Sequence, residues 1–222
     1  MNCSHRSPFV NGIKIKQVIR VKTMLRMSST IGMLFILSAH QAAAQEKSKA
    51  PEIGDVAPTW NDLVGTDDKK HSLKDLADAG VIVVAFTCNS CPYAVDYEDR
   101  MIALQQKYAD NKGGVELVAI NSNAVAADSL DKMKQRSAEK HFKFLYIRDE
   151  SQEVARAYGA IYTPEFYVLN KERRIIYRGA MDDSTDASKV TVSYIDLAIA
   201  AAMAGKMPQV TKTGARGCTI RR

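Results

Sequence analysis

The chain has 222 residues and a formal net charge of +6, and its length suits one domain. The excess charge sits at the N-terminus: residues 1–44 carry six of the 31 Lys and Arg (Arg6, Lys14, Lys16, Arg20, Lys22, Arg26) and none of the 25 Asp and Glu, so residues 45–222 hold 25 of each sign. This balance argues against a nucleic-acid partner, which needs clustered cations; the small group Lys206, Lys212, Arg216, Arg221 and Arg222 reads as a solvated tail.

Basic residues through Arg26, an apolar run over 31–39, and Ala42-Ala43-Ala44 before Gln45 have the layout of an export leader cut after Ala44. A membrane-spanning helix needs ~20 apolar residues, and His40 and Gln41 interrupt this run. Residues 45–222 then form a periplasmic or extracellular protein with no membrane span, tethered only if the leader stays uncut. Met24 or Met27 would each open a leader of more ordinary length, and Cys3 lies in it without a lipoprotein box.

Residues 45–55 are polar and read as a linker, 56–205 as the domain and 206–222 as a Cys-containing tail. Short segments over 59–64 and 70–73 flank Gly65-Thr66-Asp67-Asp68, which is turn chemistry and predicts a hairpin. The β-branched run over 81–86 predicts a strand buried on both faces. Ala94, Tyr97, Met101, Leu104 and Tyr108 recur at helical spacing and predict an amphipathic helix over 93–108. A buried strand over 115–120, a polar helix over 129–140 and a strand over 144–147 follow, so the alternation implies a right-handed parallel crossover. A brief helix over 150–158, a hairpin of strands 165–169 and 174–178, and a last helix from Val192 to Gly205 complete the chain.

Cys88-Asn89-Ser90-Cys91 lies between the buried strand and the amphipathic helix. A helix starting near Cys88 would offer unpaired N–H groups and the positive end of its dipole to that thiolate, which would then ionise more readily than a free thiol. Cys91, one turn on, would be the more buried partner, and Pro92 fits a first turn because its missing N–H costs nothing there. The sulfurs should be close enough to bond reversibly and open enough to meet a partner. A structural disulfide and half a zinc site are the other readings. For zinc, only Cys218, His71 and His141 remain as further ligands, in no paired spacing.

The segments Phe86-Thr87-Cys88-Asn89-Ser90-Cys91-Pro92-Tyr93, Glu98-Asp99-Arg100, Ala119-Ile120-Asn121-Ser122-Asn123, Tyr158-Gly159-Ala160, Thr163-Pro164, Arg178-Gly179 and Gly217-Cys218-Thr219-Ile220 resemble the thioredoxin-like redoxins. The resemblance lies in the alkyl hydroperoxide reductase and thiol-specific antioxidant superfamily, nearest its peroxiredoxin-like branch, and covers nearly all of residues 52–222. It implies an α/β thioredoxin-like fold: a central mixed β-sheet flanked by helices, here with an N-terminal β-hairpin extension. It also implies a cis-Pro at Pro164 lying against the cysteines, with Thr163 offering its backbone to a substrate strand. No cofactor is expected; the reaction partner is a thiol or disulfide protein or a peroxide, with a separate electron donor.

Dithiol–disulfide exchange, with Cys88 attacking and Cys91 resolving, is the main expectation. The alternative is peroxide reduction at Cys91, resolved by Cys88 or Cys218. Family peroxidases carry Thr three residues before the peroxidatic Cys-Pro, and here that position is Cys88, with Thr87 displaced by one. A third reading, a copper-binding assembly factor, meets a Cys spacing of two rather than three and only His71 and His141 as His ligands. Cys218, after Gly214 and Gly217, is either a resolving or partner-docking thiol on a tail that could swing, or no more than an exposed one. Glu165 is a proton acceptor or a solvated charge, Arg100 and Arg178 are anion partners of a thiolate or surface ion-pair residues, and Tyr93 lines the site or covers the core.

Overall fold

A computed structural model describes residues 49–109 and 114–222 of the protein; the leader expected over 1–44 lies outside the described residues. β1 (Leu63–Gly65) and β2 (Lys70–His71) form the expected hairpin, with Leu63 opposite His71. Then come β3 (Val81–Phe86), α1 (Pro92–Tyr108), β4 (Val115–Asn121), α2 (Leu130–Lys140), β5 (Leu145–Arg148) and α3 (Glu153–Tyr158). The second half contains β6 (Tyr162–Thr163), β7 (Glu165–Leu169), β8 (Ile175–Gly179), α4 (Tyr194–Met203) and β9 (Cys218–Thr219).

Seven strands make one mixed sheet in the order β2-β1-β5-β4-β3-β7-β8, while β6 and β9 pair separately. β3, β4 and β5 are parallel, as strands joined by crossover helices must be, whereas β7 is antiparallel to β3 and β8. The hairpin extends the sheet at β5. This is the expected thioredoxin-like arrangement.

The unbroken apolar run of β3 is explained by its two covered faces. Val81, Val83 and Ala85 pack with Tyr97 and Met101 of α1, Met133 of α2 and Ile195 of α4. Ile82, Val84 and Phe86 pack with Tyr158 of α3, Trp60 and Leu73. Helix ends follow local chemistry: the Ser129 and Ser193 hydroxyls accept the N–H groups of Lys132 and Asp196, capping α2 and α4. α3 closes on Gly159 at φ +66°, where a Cβ would also come within 2.3 Å of Ala50.

Two segments expected to be loose are fastened. Within the linker, Pro51 is buried and the Gly54 N–H donates to the Ile175 carbonyl at 2.8 Å, and just after it Val56 bridges Arg174. The tail is a strap rather than a swinging arm. The Arg178 N–H donates to the Thr211 carbonyl at 3.0 Å, and the Thr213 N–H to the Arg178 carbonyl at 3.1 Å. The Thr213 hydroxyl also meets the Tyr177 hydroxyl at 2.6 Å and the Ala180 N–H at 2.9 Å. These bonds are mostly backbone ones, which a polar, Gly-containing sequence does not advertise.

Phe86 is fully buried, with its ring 5.4 Å from that of Tyr158 and 5.7 Å from that of Tyr167. Phe86→Ala should lower stability by about 3–5 kcal/mol, measured by urea denaturation.

Candidate active site

Residues 87–90 form the turn that carries the chain from β3 into α1. The helix starts at Pro92, with Cys91 as its N-cap at φ −89° and ψ 121°. This corrects the expected start near Cys88: the sulfur at the positive mouth of the helix is that of Cys91, and Cys88 belongs to the turn. Pro92 sets the boundary. At the first helical position its missing N–H is harmless, and a residue preceding proline is steered to extended backbone.

One buried carboxylate holds the turn. Asp128 is fully buried on a 3₁₀ turn (Ala126–Asp128) after β4. Its Oδ1 accepts from the N–H of Asn89 at 2.6 Å, the N–H of Ser90 at 3.2 Å and Asn121 Nδ2 at 3.3 Å. Its Oδ2 accepts from the Ser90 hydroxyl at 2.5 Å and Asn123 Nδ2 at 3.0 Å. Five donors keep a buried charge tolerable. Sequence reasoning misses Asp128 because a lone Asp carries no motif; the signal lay in Asn121 and Asn123, whose amides converge on it.

Thr163 faces both sulfurs. Its carbonyl accepts the Cys91 thiol at 3.1 Å and its hydroxyl accepts the Cys88 thiol at 3.4 Å; the following bond to Pro164 is cis. Cys218 completes the cluster, with its Sγ 2.7 Å from Cys91 Sγ.

The other expected residues lie elsewhere. Glu165 is 4% exposed, so it is no solvated charge. It accepts the N–H groups of Ile161 and Tyr162 at 2.9 and 3.2 Å, the Tyr167 hydroxyl at 3.3 Å and Arg178 Nη2 at 2.9 Å, fixing the segment before Pro164. Arg100 donates to Asp182 at 2.7 Å and to the Ser184 carbonyl at 2.9 Å, and lies over the Tyr97 ring. Both arginines are therefore engaged with protein oxygens, not with a thiolate. Tyr93 is exposed on the first turn of α1. His71 pairs with Asp67 at 2.8 Å, and His141 is the C-cap of α2. Among the described residues, no three or more His, Cys, Asp or Glu are arranged to hold a metal ion.

The electrostatics set the two cysteines apart. Burial pushes the Cys88 thiol above its ordinary pKa; the Thr163 hydroxyl opposes this and the Asp128 carboxylate adds to it. Burial acts upward on Cys91 too, but the Cys218 thiol, the N–H groups of Ala94 and Cys218, and Thr163 outweigh it, and its pKa is lowered. The Ala94 N–H belongs to the first turn, so the helix mouth contributes to this shift although Cys91 makes no formal side-chain cap bond. Cys218 is pushed up to about 11 by its bond with Cys91 and by burial.

Access is the second correction. Cys88 and Cys91 are each 2% exposed rather than open to a partner. The physical reason is the strap, which places Cys218 against them.

Residues 45–195 match the Redoxin family. Thiol-disulfide oxidoreductase ResA of Bacillus cereus is 30% identical over 167 residues, covering 73% of this chain and 87% of the relative. Among solved structures, an uncharacterized conserved protein from Geobacillus kaustophilus is 32% identical with a TM-score of 0.71, covering 79% of this chain and 94% of its own. A hypothetical protein from Sinorhizobium meliloti is 29% identical, also with a TM-score of 0.71, covering 78% and 95%.

In the reduced, folded protein, iodoacetamide should alkylate Cys91 with a lower pH midpoint than Cys88 or Cys218. Cys218→Ala removes the sulfur partner that lowers the Cys91 pKa and should move the Cys91 midpoint up. Asp128→Asn removes a negative charge and should move the Cys88 midpoint down. Peptide mass mapping across a pH series reads all three.

Proposed function

Because the chain belongs to the redoxin family, we propose that it is an exported thiol–disulfide oxidoreductase in which Cys91 attacks and Cys88 resolves. The observation that carries this reading is the Cys91 sulfur at the mouth of α1, with its pKa lowered in spite of burial. The similarity to a thiol-disulfide oxidoreductase adds support for the reaction class.

The Cys91 thiolate attacks one sulfur of a partner disulfide, and the other partner sulfur leaves as a thiolate and takes a proton. Cys88 then loses its proton and attacks the Cys91 sulfur, which releases the second partner thiol and leaves a Cys88–Cys91 disulfide. Two electrons have passed to the partner, and a separate dithiol donor returns the protein to its reduced form. In reverse, the same steps oxidise a partner dithiol. The high pKa of Cys88 suits the second position, since its thiol stays protonated until the mixed disulfide has formed.

A second reading is favoured by the contact between Cys91 and Cys218. A peroxide would convert the Cys91 thiolate to a sulfenic acid and leave as an alcohol or water; Cys218 would then condense with it, releasing water and forming a disulfide. Neither Arg100 nor Arg178 is placed to polarise the peroxide in that scheme.

Export rests on the leader, and no described helix is long and apolar enough to cross a membrane. N-terminal sequencing of protein recovered from the exported fraction should begin at Gln45.

Cys91→Ser should lower insulin disulfide reduction by at least about a hundredfold. Cys88→Ser should instead accumulate a mixed disulfide between Cys91 and the partner, visible on non-reducing gels. Fast stoichiometric consumption of dilute peroxide, unmatched by disulfide exchange, would move the assignment to the second reading.

A further inference from the structure

β9 does not extend the main sheet. It pairs antiparallel with β6 alone, Cys218 opposite Thr163 and Thr219 opposite Tyr162, on the strand that ends just before Pro164. Beyond it, the Ile220 N–H donates to the Ile161 carbonyl at 2.8 Å. The Arg221 N–H donates to Asn123 Oδ1 at 2.9 Å, and the Arg221 carbonyl accepts from the Ala124 N–H at 2.9 Å and Gln152 Nε2 at 2.8 Å. These bonds all use the main chain of the tail. The side chains the slot uses are the Cys218 sulfur, set against Cys91, and Ile220, packed against the Trp60–Phe86 cluster, while Thr219 between them is exposed.

We propose that residues 217–221 occupy the slot of the redox partner, so that the tail is a resident stand-in for the substrate. The substrate class is an extended, disulfide-bearing segment of the form Gly-Cys-any-apolar. The inference rests on the reading of Cys91 as the attacking sulfur.

The register defines each position. An extended segment recognised through its backbone tolerates most side chains, and alternation lets every second one point into the protein. The position before the cysteine is different. A Cβ on Gly217 would lie 2.1 Å from the Thr163 carbonyl oxygen, 2.6 Å from the Thr163 carbonyl carbon and 3.0 Å from Pro164 N. These are backbone atoms at the end of β6 and cannot swing aside as a side chain would. A segment docking in this register therefore needs glycine there, and the tail has it.

The same contacts explain how the sulfurs are buried in a protein that must meet partners. Tail and partner compete for one strand edge, so the site opens only when the tail leaves. Once it has left, the docked cysteine lies where Cys218 lay, and its backbone N–H takes the place of the Cys218 N–H beside Cys91 while the Ala94 N–H stays. Cys91 attacks it, the partner's S–S bond breaks with its distal sulfur leaving as a thiolate, and Cys88 completes the exchange because Cys218 is displaced. The apparent reactivity of the wild type is then reduced by the fraction of molecules whose tail is docked.

The test uses the full reduced chain and two pentapeptides, Ala-Gly-Cys-Thr-Ile and Ala-Val-Cys-Thr-Ile, each joined through its cysteine to 5-thio-2-nitrobenzoate. Release of the coloured thiolate gives the rate. Gly217→Ala, which retains Cys88, Cys91 and Cys218, should raise the rate with the glycine peptide by about tenfold or more. Arg221→Pro, which removes the N–H donated to Asn123, should raise it by a second route. In both variants the glycine peptide should outpace the valine peptide by about tenfold or more. Unchanged or lower rates in both variants would overturn the tail's role. Faster but equal rates for the two peptides would overturn the glycine requirement. Both results leave the Cys91 reading standing as long as adding Cys91→Ser to the undocked variants cuts release by about tenfold or more, down to the slow background of the other thiols; if release is as fast without Cys91, that reading itself fails.

Discussion

Cys91 Sγ lies where three parts of the chain meet: the first turn of α1, the carbonyl of Thr163 at the end of β6, and the Cys218 thiol of the strap. These parts are far apart in sequence and are brought together by the β3–α1 junction and the loop before β7. The constraint on that junction is Pro92. It starts the helix one residue after Cys91 and so gives the cap position to that sulfur. Had the helix begun at Cys88, its first-turn N–H groups would have favoured the Cys88 thiolate instead.

The neighbours of this sulfur divide into those that ionise it and those that hold its setting. The first-turn N–H and the Cys218 thiol oppose the cost of burying a thiolate. Asp128 acts differently: it ties down Asn89 and Ser90 and raises the pKa of Cys88. Glu165 does the corresponding work on the other side, holding the N–H groups of Ile161 and Tyr162 just before Thr163. Two buried carboxylates with no direct bond to a sulfur thus fix the two walls between which the sulfurs lie.

Much of the scaffold was legible in the sequence because it rests on side-chain patterning. The β-branched run over Val81–Phe86 needs two covered faces, and the spacing of Ala94, Tyr97, Met101 and Leu104 defines the buried face of α1. Thr163-Pro164 was legible through its neighbours. The strap was not, because its anchoring is done by main-chain groups of residues such as Thr211, Ile220 and Arg221, and a Lys- and Gly-containing composition looks the same whether docked or free. Asp128 and Glu165 were misjudged or missed for a related reason: a single acid reveals its burial only through partners contributed from distant positions. The proposed assignment of Cys91 rather than Cys88 as the attacking sulfur turns on a shift of helix start from near Cys88 to Pro92, a distance that periodicity cannot resolve.

The central claim is that Cys91 is the sulfur common to every bond the site makes. Disulfide mapping by mass spectrometry, on full-length protein oxidised slowly without a partner, tests it most directly. The account predicts bridges between Cys91 and Cys218 or between Cys88 and Cys91, with Cys91 never free in an oxidised molecule. A Cys88–Cys218 bridge with Cys91 left as a thiol would contradict it.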